Sequence, residues 1–183
     1  MDNTLVFTEF ASIARVTRQM VFTEKLDGTN AQIHITDNGQ MFVGSRTRWI
    51  TSEDDNYGFA RWATLHKDEL MLLGSGSHFG EWWGAGIQRK YNTGEKRFSL
   101  FNTARWSDDV VRPICCHVVP VLYTGVFDTA VIDETLAKLE RDGSRAAPGF
   151  MRPEGVVIWH EAARVLFKKT IGGDGHKSTK VAP

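Results

Sequence analysis

The pattern of apolar and polar positions predicts a series of short strands interrupted by two helices. Ala31 to Ile35 reads as a strand. The turn cluster Thr36-Asp37-Asn38-Gly39 follows it, and Asn-Gly is a strong hairpin signal, so Gln40 to Val43 is the returning strand. From about Tyr57 to Leu73, the apolar residues Phe59, Trp62, Ala63, Leu70 and Leu73 fall near helical spacing, and Gly74-Ser75-Gly76 ends that helix. His78 to Trp83 is a further strand, broken by Gly84-Ala85-Gly86. Arg97 to Asn102 and Cys116 to Tyr123 are two more. Asp128 or Thr129 caps a second helix running to about Arg141, and Asp142-Gly143 stops it. Gly155 to Trp159 and Arg164 to Thr170 form a last hairpin across His160-Glu161-Ala162-Ala163. The expectation is an α+β fold of antiparallel β-sheets with flanking helices.

Composition narrows the picture. A chain of 183 residues without internal repeat or linker fits one domain, 1–183. Lys and Arg number 22 and Asp and Glu 22, which argues against a protein that coats nucleic acid indiscriminately and leaves room for a local basic groove. No apolar run approaches the roughly 20 residues that cross a bilayer. The N-terminus MDNTLVFTEF has no basic flank and no long apolar stretch. The two cysteines, Cys115 and Cys116, are adjacent, so neither a disulfide framework nor a zinc site is expected, and they read as small residues in a strand. These features point to a cytoplasmic protein with no membrane partner.

The sharpest chemical signal is Glu24-Lys25-Leu26-Asp27-Gly28-Thr29-Asn30. A protonated lysine is a poor nucleophile and needs desolvation or a neighbouring positive charge to react. Gly28 permits a tight turn in which backbone approaches a ligand closely. Further short elements follow in order: Gly44-Ser45-Arg46, Phe79-Gly80-Glu81-Trp82-Trp83, Arg97-Phe98-Ser99-Leu100-Phe101-Asn102, Pro153-Glu154-Gly155-Val156-Val157-Ile158 and Leu166-Phe167-Lys168-Lys169-Thr170. A lone Lys-x-Asp-Gly is weak, whereas six elements in one order are specific.

Together they resemble the covalent nucleotidyltransferase superfamily of DNA ligases, RNA ligases and mRNA capping enzymes. EKLDGTN is closest to RNA ligases of the phage and trypanosome-editing type. The resemblance spans Glu24 to about Lys177. It implies an ATP-grasp-like ligase adenylation domain whose Lys25 attacks the α-phosphate of ATP and carries AMP to a nucleic-acid 5′-phosphate, which a 3′-hydroxyl then seals. It implies that Arg46 lies near the nucleotide and the strand ends, where an arginine fork suits phosphate; Arg48 is a second cation that the sequence does not separate from it. Glu81 would bind the ribose hydroxyls, since a carboxylate can accept two hydrogen bonds from a diol. Phe101 would stack on the purine, with Phe98 taking that role if the strand register is shifted by one face. Trp82 and Trp83 read as core. Glu154 would hold Mg²⁺ or Mn²⁺, for which one carboxylate plus phosphate oxygens suffices. Glu24 and Asn30 would contact base, ribose or phosphate.

One element departs from the family pattern, which has Lys-x-Lys. Here Lys168 and Lys169 are adjacent, so alternation turns only one toward the site. Lys168 is the expected phosphate contact, Lys169 is expected at solvent, and Lys177 is a candidate substitute for the missing lysine. Only about a dozen residues follow the fifth element, too few for the oligonucleotide-binding barrel usual in DNA ligases, so an accessory domain or partner protein for end binding is part of the expectation. The alternatives are a DNA ligase-type adenylation domain and a non-catalytic nucleotide- or nucleic-acid-binding domain of the same fold.

Overall fold

The computed structural model describes residues 6–173, so Lys177 lies outside the described residues. Two sheets organise the chain. The first has the strand order β3-β2-β4-β5-β6, with β2 Thr29–Ile35, β3 Met41–Gly44, β4 Gly76–Gly84, β5 Lys96–Leu100 and β6 Cys116–Val118. The second has the order β7-β1-β8-β9, with β1 Gln19–Lys25, β7 Val121–Val126, β8 Gly155–His160 and β9 Val165–Thr170. All pairings are antiparallel except the short β5–β6 ladder, which is parallel, so the first sheet is mixed.

The β2–β3 hairpin forms where the Asn-Gly turn predicts it, with Gly39 at φ 79° and the Thr36 N–H donating to the Gln40 carbonyl. Ala31, Ile33 and Ile35 enter the larger core with Phe59, Leu70, Trp82, Phe98 and Leu100. The opposite face of the same strands carries Asn30, Gln32, His34 and Glu81. In the second sheet, Met20, Phe22, Val156 and Ile158 pack under Leu139 of helix α4 (Thr129–Asp142), capped by the Asp128 carboxylate. The other face carries Val21, Thr23, Lys25, Val157 and Lys168. Each sheet thus spends one face on a core and leaves the other for chemistry. A third cluster, Leu26, Trp83, Tyr91, Val119, Ala147 and Phe150, packs residues from around both sheets together.

Four points differ from the sequence expectations. The helix expected over 57–73 is three pieces: α1 Phe59–Leu65, α2 Lys67–Leu70 and a 3-10 turn at Met71–Leu73. His66 breaks it at φ −105°, ψ 21°, where its ring nitrogen and its own N–H both meet the Trp62 carbonyl. The strand expected over 116–123 divides at Pro120, which has no N–H to extend a ladder. Its first half, β6, belongs to the first sheet and its second half, β7, to the other. The Pro120 carbonyl accepts the Glu24 N–H at 2.9 Å. Strand β1 was not foreseen, although Met20, Phe22 and Glu24 alternate as its buried face. A third short helix, α3 Thr103–Trp106, begins where the strand expected over 97–102 was to end, with Asn102 as its cap.

Gly155 opens β8 at φ 153°, and a Cβ there would stand 2.2 Å from the Lys169 carbonyl oxygen. Gly155→Ala is therefore expected to lose about 1–3 kcal/mol of folding stability, measured by denaturant unfolding. Unchanged stability would contradict this reading of the β8–β9 pairing.

Candidate active site

Lys25 is the last residue of β1 and lies opposite Gly155 in the β1–β8 ladder. That register brings Glu154, the residue before Gly155, to the lysine: Lys25 Nζ donates to Glu154 Oε2 at 2.6 Å. Both side chains are mostly buried, at 22% and 15% exposure. An ion pair so placed is a positioning device more than a source of stability.

The turn after Lys25 is fixed from several sides. Leu26 is buried among Trp83, Tyr91 and Phe150. The Asp27 N–H donates to Tyr91 Oη at 2.8 Å. Asp27 Oδ2 accepts from Arg89 Nε at 2.8 Å, and Arg89 Nη1 also donates to the Arg152 carbonyl at 3.0 Å. One guanidinium thereby joins the turn that follows the lysine to the segment that precedes Glu154. At Gly28 the chain passes so close to β4 that a Cβ would stand 2.3 Å from the Trp82 carbonyl oxygen. The Gly28 N–H donates to Glu81 Oε1 at 3.1 Å, and Asn30 Nδ2 donates to Glu81 Oε2 at 3.1 Å. Glu81 is only 8% exposed, and burial raises its pKa to about 7. Lys25, the Gly28 N–H and Asn30 pull it down, and the Glu154 charge pushes it up. These mutual effects put Lys25, Glu81 and Glu154 in one electrostatic cluster.

Lys168 lies opposite Val157 in the β8–β9 ladder, two positions along from the Gly155–Thr170 pair, so it shares the Lys25 face of the sheet. Lys169 points to the α4 side, where its Nζ lies 3.9 Å from Asp133 Oδ1, rather than simply to solvent. Arg46 follows β3. The β2–β3 ladder ends at the Gln32–Gly44 pair, and Arg46 lies in the turn that the Ser45 N–H closes by donating to the Arg48 carbonyl. The structure separates it from Arg48, whose guanidinium is bound by both carboxylate oxygens of Asp54. Arg46 is exposed and has no ion pair among the described residues.

The two phenylalanines also separate. Phe98 is fully buried in the larger core and cannot meet a ligand. Phe101 lies one residue past β5, where its N–H donates to the Phe79 carbonyl and extends the ladder, and it is 41% exposed. Alternation puts it on the face of Glu81 and Phe79. Trp82 and Trp83 are both buried, as expected.

Glu24 requires a correction. It precedes Lys25, so alternation turns it to the opposite face of β1, and it is 1% exposed. Glu24 Oε2 accepts the N–H groups of Arg145 and Ala146 at 2.8 and 3.0 Å. Burial raises its pKa against the pull of Ser144 and those two donors. Through Oε2 the side chain ties the loop after α4 to β1, on the strand face opposite Lys25, while its Oε1 is buried with no hydrogen-bond partner among the described residues. Sequence reasoning also missed Arg89 and Tyr91. The available signal was a cation and a tyrosine directly after the Gly84-Ala85-Gly86-Ile87-Gln88 break, in a loop where Gln88, Lys90 and Tyr91 take positive φ. Among the described residues no helix is long and apolar enough to cross a membrane.

The raised pKa of Glu81 has a consequence for stability. The folded state holds the proton up to about pH 7, whereas the unfolded chain releases it near 4.5. Between those values the unfolded state binds fewer protons, so stability falls as pH rises and levels off above about 7. Glu81→Gln removes this decline, and thermal melts of both proteins across the window read it. Parallel melting curves against pH would contradict the assignment.

No curated protein sequence matches the chain. Among solved structures, the chain is similar to the Naegleria gruberi RNA ligase in several states. For an apo mutant the TM-score is 0.59 at 20% identity, covering 86% of this chain and 50% of that one. For a mutant with AMP and Mn the TM-score is 0.59 at 20% identity, covering 85% and 50%. For a mutant with ATP and Mn it is 0.60 at 20% identity, covering 86% and 51%. At this identity the likeness shows the fold, and the chain spans about half the length of those ligases. The RNA ligase family model matches residues 18–179, and the chain belongs to the RNA ligase family.

Proposed function

We propose that this chain is the nucleotidyl-transferring part of an ATP-dependent RNA ligase, and that the 2.6 Å contact between Lys25 and Glu154 marks its reacting centre. The Lys25 amine, once it has given up its proton and left the carboxylate, attacks the α-phosphorus of ATP. A nitrogen–phosphorus bond forms, and the bond from the α-phosphorus to the bridging oxygen breaks, releasing pyrophosphate. An oxygen of an RNA 5′-phosphate then attacks the same phosphorus and the lysine leaves as the amine. Finally a 3′-hydroxyl attacks the 5′-phosphate, AMP departs and the phosphodiester is made.

Each neighbour has a role in this scheme. Glu81, pinned by the Gly28 N–H and Asn30, accepts from the ribose hydroxyls. Phe101 offers an exposed ring to the purine. Lys168 lies on the Lys25 face and offsets negative charge growing on the phosphoryl oxygens, as Arg46 does at the strand ends. A divalent metal fits the donor set. Among the described residues no group of three or more His, Cys, Asp or Glu could hold an ion by itself, and Mg²⁺ characteristically takes one carboxylate with phosphate oxygens and water. Glu154 would hold it, and when bound it supplies positive charge to the phosphates. The Naegleria gruberi ligase structures with ATP and Mn, or with AMP and Mn, support this choice of nucleotide and ion. Arg89 acts through Asp27 and the Arg152 carbonyl, holding the lysine and the glutamate in register.

Incubation with α-³²P-labelled ATP and Mg²⁺ is expected to leave label on the denatured protein. Lys25→Ala abolishes it, and Glu154→Ala lowers its rate by about 10²–10³-fold. Label retained by Lys25→Ala would reject the nucleophile. Joining of nicked RNA but not nicked DNA separates the RNA reading from a DNA ligase-type domain, and absence of label would leave only a binding module. Arg89→Ala is expected to slow labelling by up to about 100-fold through misplacement alone, with little change in melting temperature. Wild-type labelling would dismiss the clamp.

A further inference from the structure

The face of the first sheet that carries Glu81 does not end at the nucleotide site. Its register aligns residues in rows across the strands. One row contains Glu81 and Asn30. The next runs from Phe101 to Phe79, then to Gln32, then to Gly44, where Trp49 makes a bridge to the edge strand. Trp49 folds over the glycine, since a Cβ on Gly44 would touch its ring at 3.2 Å and Gln32 Cβ at 3.5 Å. Beyond it the following row holds Ser77, His34 and Phe42. His34, Phe42 and Trp49 form one ring cluster, with centroids 5.8 to 6.5 Å apart.

These rings are not core. Trp49 is 53% exposed, Phe42 42% and Phe79 55%, while the buried face of the same strands holds the apolar residues of the larger core. A monomer gains nothing by presenting a tryptophan, two phenylalanines and a histidine together on an open sheet. Between the rings lie polar groups: Gln32 Nε2 donates to Ser77 Oγ at 3.1 Å, and His34 Nδ1 lies 2.8 Å from the same oxygen. Arg46, exposed and without an ion pair among the described residues, lies in the turn between Gly44 and Trp49 at the margin of this face.

We infer that His34, Phe42 and Trp49 form a stacking platform for unpaired RNA bases beside the joint. The inference rests on the ligase reading for its substrate and adds where the strand lies. Three observations favour nucleic acid as occupant. The platform is continuous with the nucleotide site, two strand spacings, or about 10 Å, from Phe79. Flat rings accept every base, and stacking tolerates any sequence. Arg46, in the turn that leads to Trp49, supplies phosphate complementarity beside the rings.

The test uses the full chain and a short dye-labelled single-stranded RNA, its duplex, and the same strand with its bases replaced by abasic sites, titrated by fluorescence anisotropy. Label transfer from ATP to Lys25 is followed in parallel. Trp49→Ala is expected to weaken binding of the intact single strand about ten-fold, while Trp49→Phe stays near wild type. The abasic strand binds the wild type weakly and shows no further loss with Trp49→Ala. The duplex, whose bases are paired, is insensitive to the ring. Lysyl-AMP forms at the wild-type rate in both variants. Equal affinity of the wild type for intact and abasic strands overturns the platform. So does a Trp49→Ala change that only converts a dimer to a monomer, which would make the face a self-association surface. Normal lysyl-AMP with ring-independent binding refutes the platform alone, whereas ring-dependent binding without any lysyl-AMP refutes the ligase reading and leaves the platform standing.

Discussion

Everything in this molecule that bears on its chemistry depends on keeping one amine beside one carboxylate that lies 129 positions away in sequence. No local structure can do that. The β1–β8 ladder does, because pairing Lys25 with Gly155 leaves Glu154 next to the lysine. The ladder itself depends on the α4 face: Met20, Phe22, Val156 and Ile158 are buried there, and a slip of one residue would turn all of them outward. Packing on one face of the sheet thus fixes the geometry of Lys25 and Glu154 on the other.

The second sheet is brought to this pair by close approach rather than by side-chain reach. Gly28 has no room for a Cβ against the Trp82 carbonyl, and its N–H lands on Glu81. Burial makes the Glu81 carboxylate costly to ionise, and the donors around it partly offset that cost. Arg89 and Tyr91 serve the same end from the loop after β4, gripping the Asp27 turn and the backbone before Glu154. Glu24 does so from beneath β1. The candidate site is a small set of mostly buried charged groups on a heavily tied frame, as preorganised chemistry requires.

Much of this was legible in the residues, and the pattern of success has physical reasons. The β2–β3 hairpin, the capped helix α4 and the β8–β9 hairpin are set by turn and cap chemistry, which is local, and all three appear close to the expected bounds. The short motifs around Lys25, Glu81 and Glu154 are visible as local sequence, and the β1–β8 ladder and the Gly28 approach bring them together. Apart from strand β1 and the helix break at His66, what failed was non-local. The division at Pro120 moves the chain between sheets, and neither half looks different in sequence. Glu24 reads as a ligand because it adjoins Lys25, yet a strand sends neighbours to opposite faces. The choice between Phe98 and Phe101 needed the register of β4 and β5. Arg89 binds a carboxylate 62 positions away and a carbonyl 63 positions away, and its partners become visible only when the fold is closed.

The chemistry proposed for this chain turns on which atom becomes bonded to phosphorus. Peptide mass mapping of the protein after reaction with ATP and Mg²⁺, under conditions that preserve an acid-labile phosphoramidate, reads this directly. The peptide containing Lys25 should carry the added mass of AMP and fragment at that residue. An unmodified Lys25 alongside AMP attached at any other position would contradict the account.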